Sequence, residues 1–184
     1  MVAIIVLIVI IVLIIMYIVG IYNTLVASKV RIDNAWASID VQLKRRYDLI
    51  PNLVNAVKGY MEHEKEIFIK VTQARSNAMN ANGVAEKAKA EGELTNALKS
   101  LFAVMENYPN IKANENMMQL QEELTSTENK ISFARQHYND VVAFYNTLIQ
   151  KFPQNIIAGM FNFTKREFFK LENEEEREAP KVKF

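Results

Sequence analysis

Cysteine is absent from the 184 residues, and there are only two histidines, one tryptophan, five glycines and four prolines. Without cysteine there is no disulfide framework, no thiolate metal site and no cysteine nucleophile, and two histidines leave little material for a histidine-based metal site. The five scattered glycines form no phosphate-cradling loop. A charge excess of either sign is missing as well: 22 Lys and Arg face 21 Asp and Glu, for a formal net charge of +1. That balance argues against a nucleic-acid binder, whose affinity rests on neutralising many phosphates. Charge is also missing locally, because no charged side chain precedes Lys29.

What fills that uncharged stretch is a long apolar run. Met1 to Tyr22 is apolar except for Gly20 and contains 16 Ile, Leu and Val residues. At roughly 0.3 to 0.6 kcal/mol each on an insertion scale, they strongly favour the membrane. The β-branched run from Ile4 to Ile15 would suit a strand in water. A bilayer instead requires every backbone hydrogen bond to be made internally, which a helix does alone. About 20 residues at 1.5 Å each cover the roughly 30 Å hydrocarbon core. Residues 1–22 are therefore expected to span the membrane, with Val2, Ile8, Leu13, Tyr17 and Tyr22 marking the span and the two tyrosines falling where interfacial aromatics would. A cleaved secretory signal would need a basic start, a shorter apolar core and a small-residue cleavage site. Only the α-amino group is positive here, the run is too long, and Ala27-Ser28 is a weak cleavage site, so an uncleaved anchor is expected. Lys29, Arg31, Lys44, Arg45 and Arg46 follow the span and no cation precedes it. The positive-inside rule then places the N-terminus outside and the rest of the chain in the cytoplasm.

Beyond the span the apolar residues step by three and four. One seam runs Trp36, Ile39, Leu43, Ile50, Leu53, Val57, Tyr60, Ile67, Val71, Ala74 and Ala78, with Arg46 and Glu64 in two of its slots. Pro51 is expected to bend this helix without ending it, since the pattern stays in phase on both sides. A weaker seam carries Val84, Ala88, Leu94, Leu98, Leu101, Met105 and Tyr108. A third runs Met117, Leu120, Leu124, Ile131, Ala134, Tyr138, Val141, Tyr145, Leu148 and Phe152, with polar Thr127 in one slot. Asn80-Ala81-Asn82-Gly83 and Asn107-Tyr108-Pro109-Asn110 punctuate the three helices, and Asn116 with Gln119 resembles a capping box opening the third. Pro153 is placed to start a fourth helix reaching the Glu-rich stretch from Glu172 to Arg177.

The expected fold is all-α: an N-terminal transmembrane helix followed by an antiparallel bundle of three long helices and a shorter C-terminal one. Its expected divisions are an anchor over 1–22, a juxtamembrane helical stalk over 23–33, the bundle over 34–178 and a tail over 179–184. The first soluble helix would be about 45 residues and roughly 65 Å long, the second about 25 residues and roughly 38 Å. They do not match, which calls for an extended connection from Tyr108 to Glu115 or a projecting stalk near the membrane.

The segments Tyr22-Asn23-Thr24-Leu25-Val26, Asn34-Ala35-Trp36 and the run from Ile39 to Val54 are similar to those of the bacterial LemA family. Leu120 to Thr125, Thr127 to Ile131, Ala134-Arg135, Tyr138-Asn139, Tyr145-Asn146, Phe152-Pro153 and the closing Ala179-Pro180-Lys181-Val182-Lys183-Phe184 extend the resemblance over nearly the whole chain. Asn162 departs from it, standing where that family would be expected to carry glycine. The resemblance implies a single-pass membrane protein with a mostly helical domain, and it supplies no reaction.

No catalytic, cofactor or metal residues stand out. His63 lies in Glu62-His63-Glu64, but neither histidine has a glutamate three residues before it, as a di-iron bundle requires. Ser126 and Ser132 have no histidine arrangement that suggests a nucleophile. Lys44-Arg45-Arg46 sits about 20 helical residues, roughly 30 Å, from the span, beyond the reach of headgroup charge. Arg46 occupies a seam slot, however, and a buried arginine must be paired. A structural polar layer is expected from Arg46, Asp48, Thr127 and Glu128, with Arg46 paired to Glu128 or Glu123. Phe161, Phe163, Phe168 and Phe169 could be core, an interface between protomers or a membrane contact.

These features predict a non-enzymatic scaffold that is anchored in the lipid bilayer, forms a homo-oligomer and works at or shapes the membrane. No cofactor, small-molecule substrate or nucleic acid is expected. The alternative is an accessory module that docks its acidic C-terminal helix onto another membrane protein, such as a membrane protease or an envelope sensor.

Overall fold

A computed structural model describes residues 1–61, 63–112 and 114–170. Among these the fold is all-α, with six helices and no strand. Helix α1 spans Val2–Lys58, α2 Lys65–Asn80, α3 Val84–Met105, α4 Pro109–Lys112, α5 Glu115–Leu148 and α6 Gln154–Met160. The described residues divide into two compact units: 1–38 with 134–167, and 39–133 with 168–170.

In the first unit, α1 begins as a helix long and apolar enough to cross a membrane, and none of the other described residues covers that stretch. Every Ile, Leu and Val from Val2 to Ile15 is roughly half exposed or more. Coverage starts at Ile18, and Ile21, Leu25, Ser28, Ile32 and Ala35 are buried. This four-three spacing carries the seam back from Trp36 to the edge of the apolar run, so residues 23–33 are packed rather than bare. Ser28 is satisfied within its own helix, donating to the Thr24 carbonyl at 2.8 Å. On α5 the buried positions are Tyr138, Val142 and Tyr145, followed by Ile149. Val142 and Ile149 replace Val141 and Leu148 of the expected seam because a 3.6-residue helix drifts from a strict heptad.

In the second unit, α1 buries Ile39, Leu43, Arg46, Ile50, Leu53 and Val57, continues through Pro51 and ends at Lys58. The expected single helix to Ala78 is therefore two. Gly59 pays the largest backbone entropy for staying helical, and Met61 is wholly buried at the turn in place of Tyr60, which is 44% exposed. Helix α2 then folds back along α1. Pro51 has no N–H to give the Tyr47 carbonyl four residues earlier, and Arg75 Nε donates to that carbonyl from α2 at 2.8 Å. The reversal resolves the length mismatch, since the answering helices are α2 and α3 of 16 and 22 residues.

Gly83, at φ +81°, opens α3 with a backbone that few other residues adopt. Pro109 starts α4, where a missing N–H costs nothing. The cap of α5 is Asn114 rather than Asn116: its Oδ1 accepts from the N–H groups of Asn116 at 3.0 Å and Met117 at 3.3 Å.

Helix α6 has seven residues and does not extend as the sequence suggested. The Phe163 N–H bonds back to the Ala158 carbonyl at 2.9 Å and the Asn162 N–H to Gly159 at 3.4 Å, with Asn162 at φ +56°. This is a Schellman stop, with asparagine serving in the left-handed position that usually takes glycine. The Glu-rich stretch 172–177 and the tail 179–184 lie outside the described residues.

Candidate functional site

The second unit holds a buried polar layer. Arg46 heads the fully buried large side chains at 2% exposure, and Glu91 on α3 is 3% exposed. A lone guanidinium there would carry a prohibitive desolvation cost. Arg46 Nη1 lies 2.9 Å from Glu128 Oε2 on α5 and 3.4 Å from Glu91 Oε2. Nη2 donates to Thr95 Oγ1 at 2.7 Å, while Nε is buried with no acceptor among the described residues. The Tyr47 hydroxyl donates to Glu91 Oε1. Lys87 Nζ donates to the Ala78 carbonyl at 2.8 Å, in the last turn of α2, and sits 5.9 Å over the Tyr47 ring. A cation there also suits the negative end of the α2 dipole.

Burial raises the Glu91 carboxyl above its ordinary range, opposed by the Tyr47 hydrogen bond and by the charges of Arg46 and Lys87. Burial and the facing Glu91 together push Tyr47 far above the usual phenol range. Tyr47 is thus a fixed neutral donor with no nucleophilic character at neutral pH. Donors and acceptors here largely consume one another. The layer ties α1, α3 and α5 in one register, and Tyr47 and Arg75 add α2.

The first unit holds its polar groups differently. Asn146, 8% exposed, clamps the backbone of one residue: its Nδ2 donates to the Arg166 carbonyl and its Oδ1 accepts from the Arg166 N–H, both at 2.9 Å. Tyr138 donates its hydroxyl to the Glu167 carbonyl at 3.0 Å, with burial raising its pKa. Arg166 reaches Asp33 at 3.7 Å between partly exposed groups. These contacts strap residues 163–167, which follow α6, onto α1 and α5. At the other end of the strap, the Tyr22 ring meets Phe161 with centroids 4.8 Å apart and Phe163 at 5.8 Å.

Of the residues singled out in the sequence, Arg46 and Glu128 come together. Glu123 lies 3.6 Å from Arg45 instead, both half exposed. Thr127 is buried but donates to the Glu123 carbonyl of its own helix, and Asp48 is exposed. Glu91 fills the place of the buried carboxylate. It was signalled by the α3 seam, where the step from Ala88 to Leu94 leaves a slot at position 91. Val2, Ile8, Leu13 and Tyr17 lie in the uncovered stretch, while Tyr22 lies at its end against Phe161, the C-cap of α6, and Phe163 of the strap. Phe161 is half exposed and Phe163 half-buried. Phe168 is partly exposed beneath Lys170 Nζ, and Phe169 is buried. Glu62 of the histidine cluster lies outside the described residues, among which no group of three or more metal-ligating side chains converges.

The sequence model of the LemA family matches residues 35–184. Magnetosome protein MamQ 2 of Paramagnetospirillum magneticum is 26% identical over 174 residues, covering 80% of this chain. Magnetosome protein MamQ of Magnetospirillum gryphiswaldense is 25% identical over the same length and share. Protein LemA of Metamycoplasma hominis is 27% identical over 141 residues, or 76% of this chain. The chain spans 64% of the length of each of these relatives.

Proposed function

The chain belongs to the LemA family, and on that premise we propose that it is a membrane-anchored, non-enzymatic scaffold whose helical domain self-associates at the bilayer and shapes it. The observation that carries this reading is the changeover within α1, uncovered from Val2 to Tyr17 and packed from Ile21 onward. An apolar helix that no other described residue covers belongs in lipid, and its packed continuation holds the first unit close to the surface. Names of the family and its relatives designate no reaction. The buried layer, with a neutral tyrosine and paired ions, supports a structural role rather than acid, base or nucleophile chemistry. With Lys29 and Arg31 just after the span, the helical domain is cytoplasmic.

Self-association is supported by an open face of α5. Met118 is 47% and Phe133 71% exposed, and they bound a shallow groove lined by Gln121, Glu122, Thr125 and Asn129. Light scattering of the full chain in detergent is expected to give a mass that rises with protein concentration, and Phe133→Glu is expected to lower it. A monomer at every concentration overturns the scaffold. The same open face also suits docking on a different membrane protein. Cross-linking in cells separates the two, since the scaffold predicts mainly links between copies of this chain.

A further inference from the structure

Helix α6 is placed at the level where the membrane ends. About 20 helical residues cross the hydrocarbon core, which puts Tyr22 at its boundary, and there the Tyr22 ring stacks against Phe161 and Phe163. The C-terminal end of α6, capped by Phe161, therefore lies beside the emerging anchor at interfacial height.

The helix has two faces. Ile157 and Ala158 are buried against the unit, at 5% and 3% exposure. Ile156 and Met160, spaced by four and so on one side, are 53% and 69% exposed, and Phe152, in the turn that leads into the helix, is 80% exposed. A monomer in water seldom presents such a stripe on so short an element. The chain also holds the stripe outward. The Schellman stop at Asn162 and the Asn146 clamp on Arg166 fix the strap, so α6 has little freedom to turn its apolar side inward. Lys151 and Lys165 flank the helix, both exposed, where their stems can lie along acyl chains and their ammonium groups can reach headgroup phosphates.

We propose that α6 is an interfacial foot. Phe152, Ile156 and Met160 insert into the headgroup and upper acyl region of the leaflet from which α1 emerges, making lipid the occupant of this face. The inference rests on reading residues 1–22 as a membrane span. Shallow apolar insertion on one leaflet beside a spanning helix would also give the scaffold a direct means of bending the bilayer.

The absence of native cysteine makes the test clean, because a single introduced thiol reports only its own position. The full chain is reconstituted into phosphatidylcholine and phosphatidylglycerol vesicles with an environment-sensitive NBD label at Ile156→Cys or Met160→Cys. Labels at Ile8→Cys and Phe133→Cys serve as references. Expected is blue-shifted emission at both α6 positions and quenching by shallow doxyl-labelled lipid about twofold or more stronger than at Phe133→Cys. Quenching by aqueous iodide equal to that at Phe133→Cys, with no response to doxyl lipid, overturns the proposal. Blue-shifted emission that ignores doxyl lipid and fades as protein is diluted in lipid also overturns it, and assigns the face to a second copy. The Ile8→Cys label separates the two readings: if it answers to deep doxyl lipid while α6 does not, only the foot fails. If Ile8→Cys gives no response, the span and the foot fail together.

Discussion

The polar groups buried between residues 39 and 133 centre on an ion pair, whereas those buried among residues 1–38 and 134–167, Ser28 and Asn146, are neutral. Arg46 and Glu91 sit almost without solvent and depend on each other, on Glu128 and on Tyr47. Asn146 and Tyr138 instead meet backbone carbonyls and an N–H that any sequence would present. A buried ion pair contributes little net stability but costs heavily when half of it is removed. A neutral side chain bonded to backbone gives a modest net gain and a smaller loss on removal. The unit farther along the chain from the anchor is therefore tuned for one register, while the unit carrying the anchor is held by tolerant clamps. That division suits a domain whose membrane end must fit a lipid surface.

The largest effect is expected from Arg46→Ala, which leaves Glu91 buried without its cation and should cost about 3 to 5 kcal/mol. Urea unfolding of the full chain in detergent, followed by far-UV circular dichroism, measures it. Combining Arg46→Met with Glu91→Leu should recover most of that loss, because an apolar pair of similar volume removes both charges. If the double variant is as unstable as Arg46→Ala, the charged layer is not the source of the cost.

Next in size is Asn146→Ala, which removes a donor and an acceptor from the same strap residue and should cost roughly 2 to 3 kcal/mol. It has a local readout as well, since trypsin cleavage after Lys165 and Arg166 should accelerate as the strap loosens. Asn146→Asp keeps the acceptor for the Arg166 N–H but loses the donor, and should fall between wild type and alanine. In the other unit, Tyr47→Phe strips Glu91 of its hydroxyl donor and should cost roughly 1 to 2 kcal/mol without changing strap cleavage. If Tyr47→Phe loosened the strap as much as Asn146→Ala does, the contrast between the units would collapse.

Only the Arg46 side of this contrast was legible in the sequence, and the reasons differ by residue. Arg46 stood out because a seam slot is a burial statement and a guanidinium cannot be buried alone. Glu128 lay within its expected reach. Glu91 was harder to read, because the α3 seam is rich in alanine and a glutamate in it resembles a solvated face until two neighbouring helices close over it. The reversal after Lys58 was hidden by apolar spacing that stays nearly in phase across Gly59, and periodicity cannot tell a continuous helix from a hairpin that reuses the same stripe. Asn146 gave no signal. Its partner is a backbone 20 residues away, and backbone carries no sequence mark.

A pH titration separates the units by slope. The folded carboxyl of Glu91 is raised above the ordinary 4.5, so between 4.5 and that raised value the folded chain holds a proton that the unfolded chain has released. Stability linked to Glu91 therefore rises as pH falls through this window and levels off below 4.5. Comparing wild type with Glu91→Gln by urea unfolding at several pH values should show this slope in the difference. Asn146→Ala, measured the same way, should shift stability equally at every pH in the window, because the clamp carries no titrating group.

The smallest effect is expected at Asn162, and it tests how far the neutral unit tolerates change. Asparagine holds φ +56° there, a conformation that an L-residue adopts at some cost and glycine adopts freely. Asn162→Gly should therefore relieve backbone strain while adding chain entropy to the unfolded state, and these terms oppose each other. The net change should stay within about 0.5 kcal/mol of wild type, whereas Asn162→Ala should lose about 1 kcal/mol, since alanine lacks the local hydrogen bonding that lets asparagine sit in this region. The fluorescence of Trp36, the only tryptophan, which packs edge-on against Tyr138 at 5.4 Å in the same unit, reports unfolding of that unit directly. Equal losses for glycine and alanine would mean that the asparagine side chain holds the stop, and the turn would then be set by a specific contact, as in the charged layer.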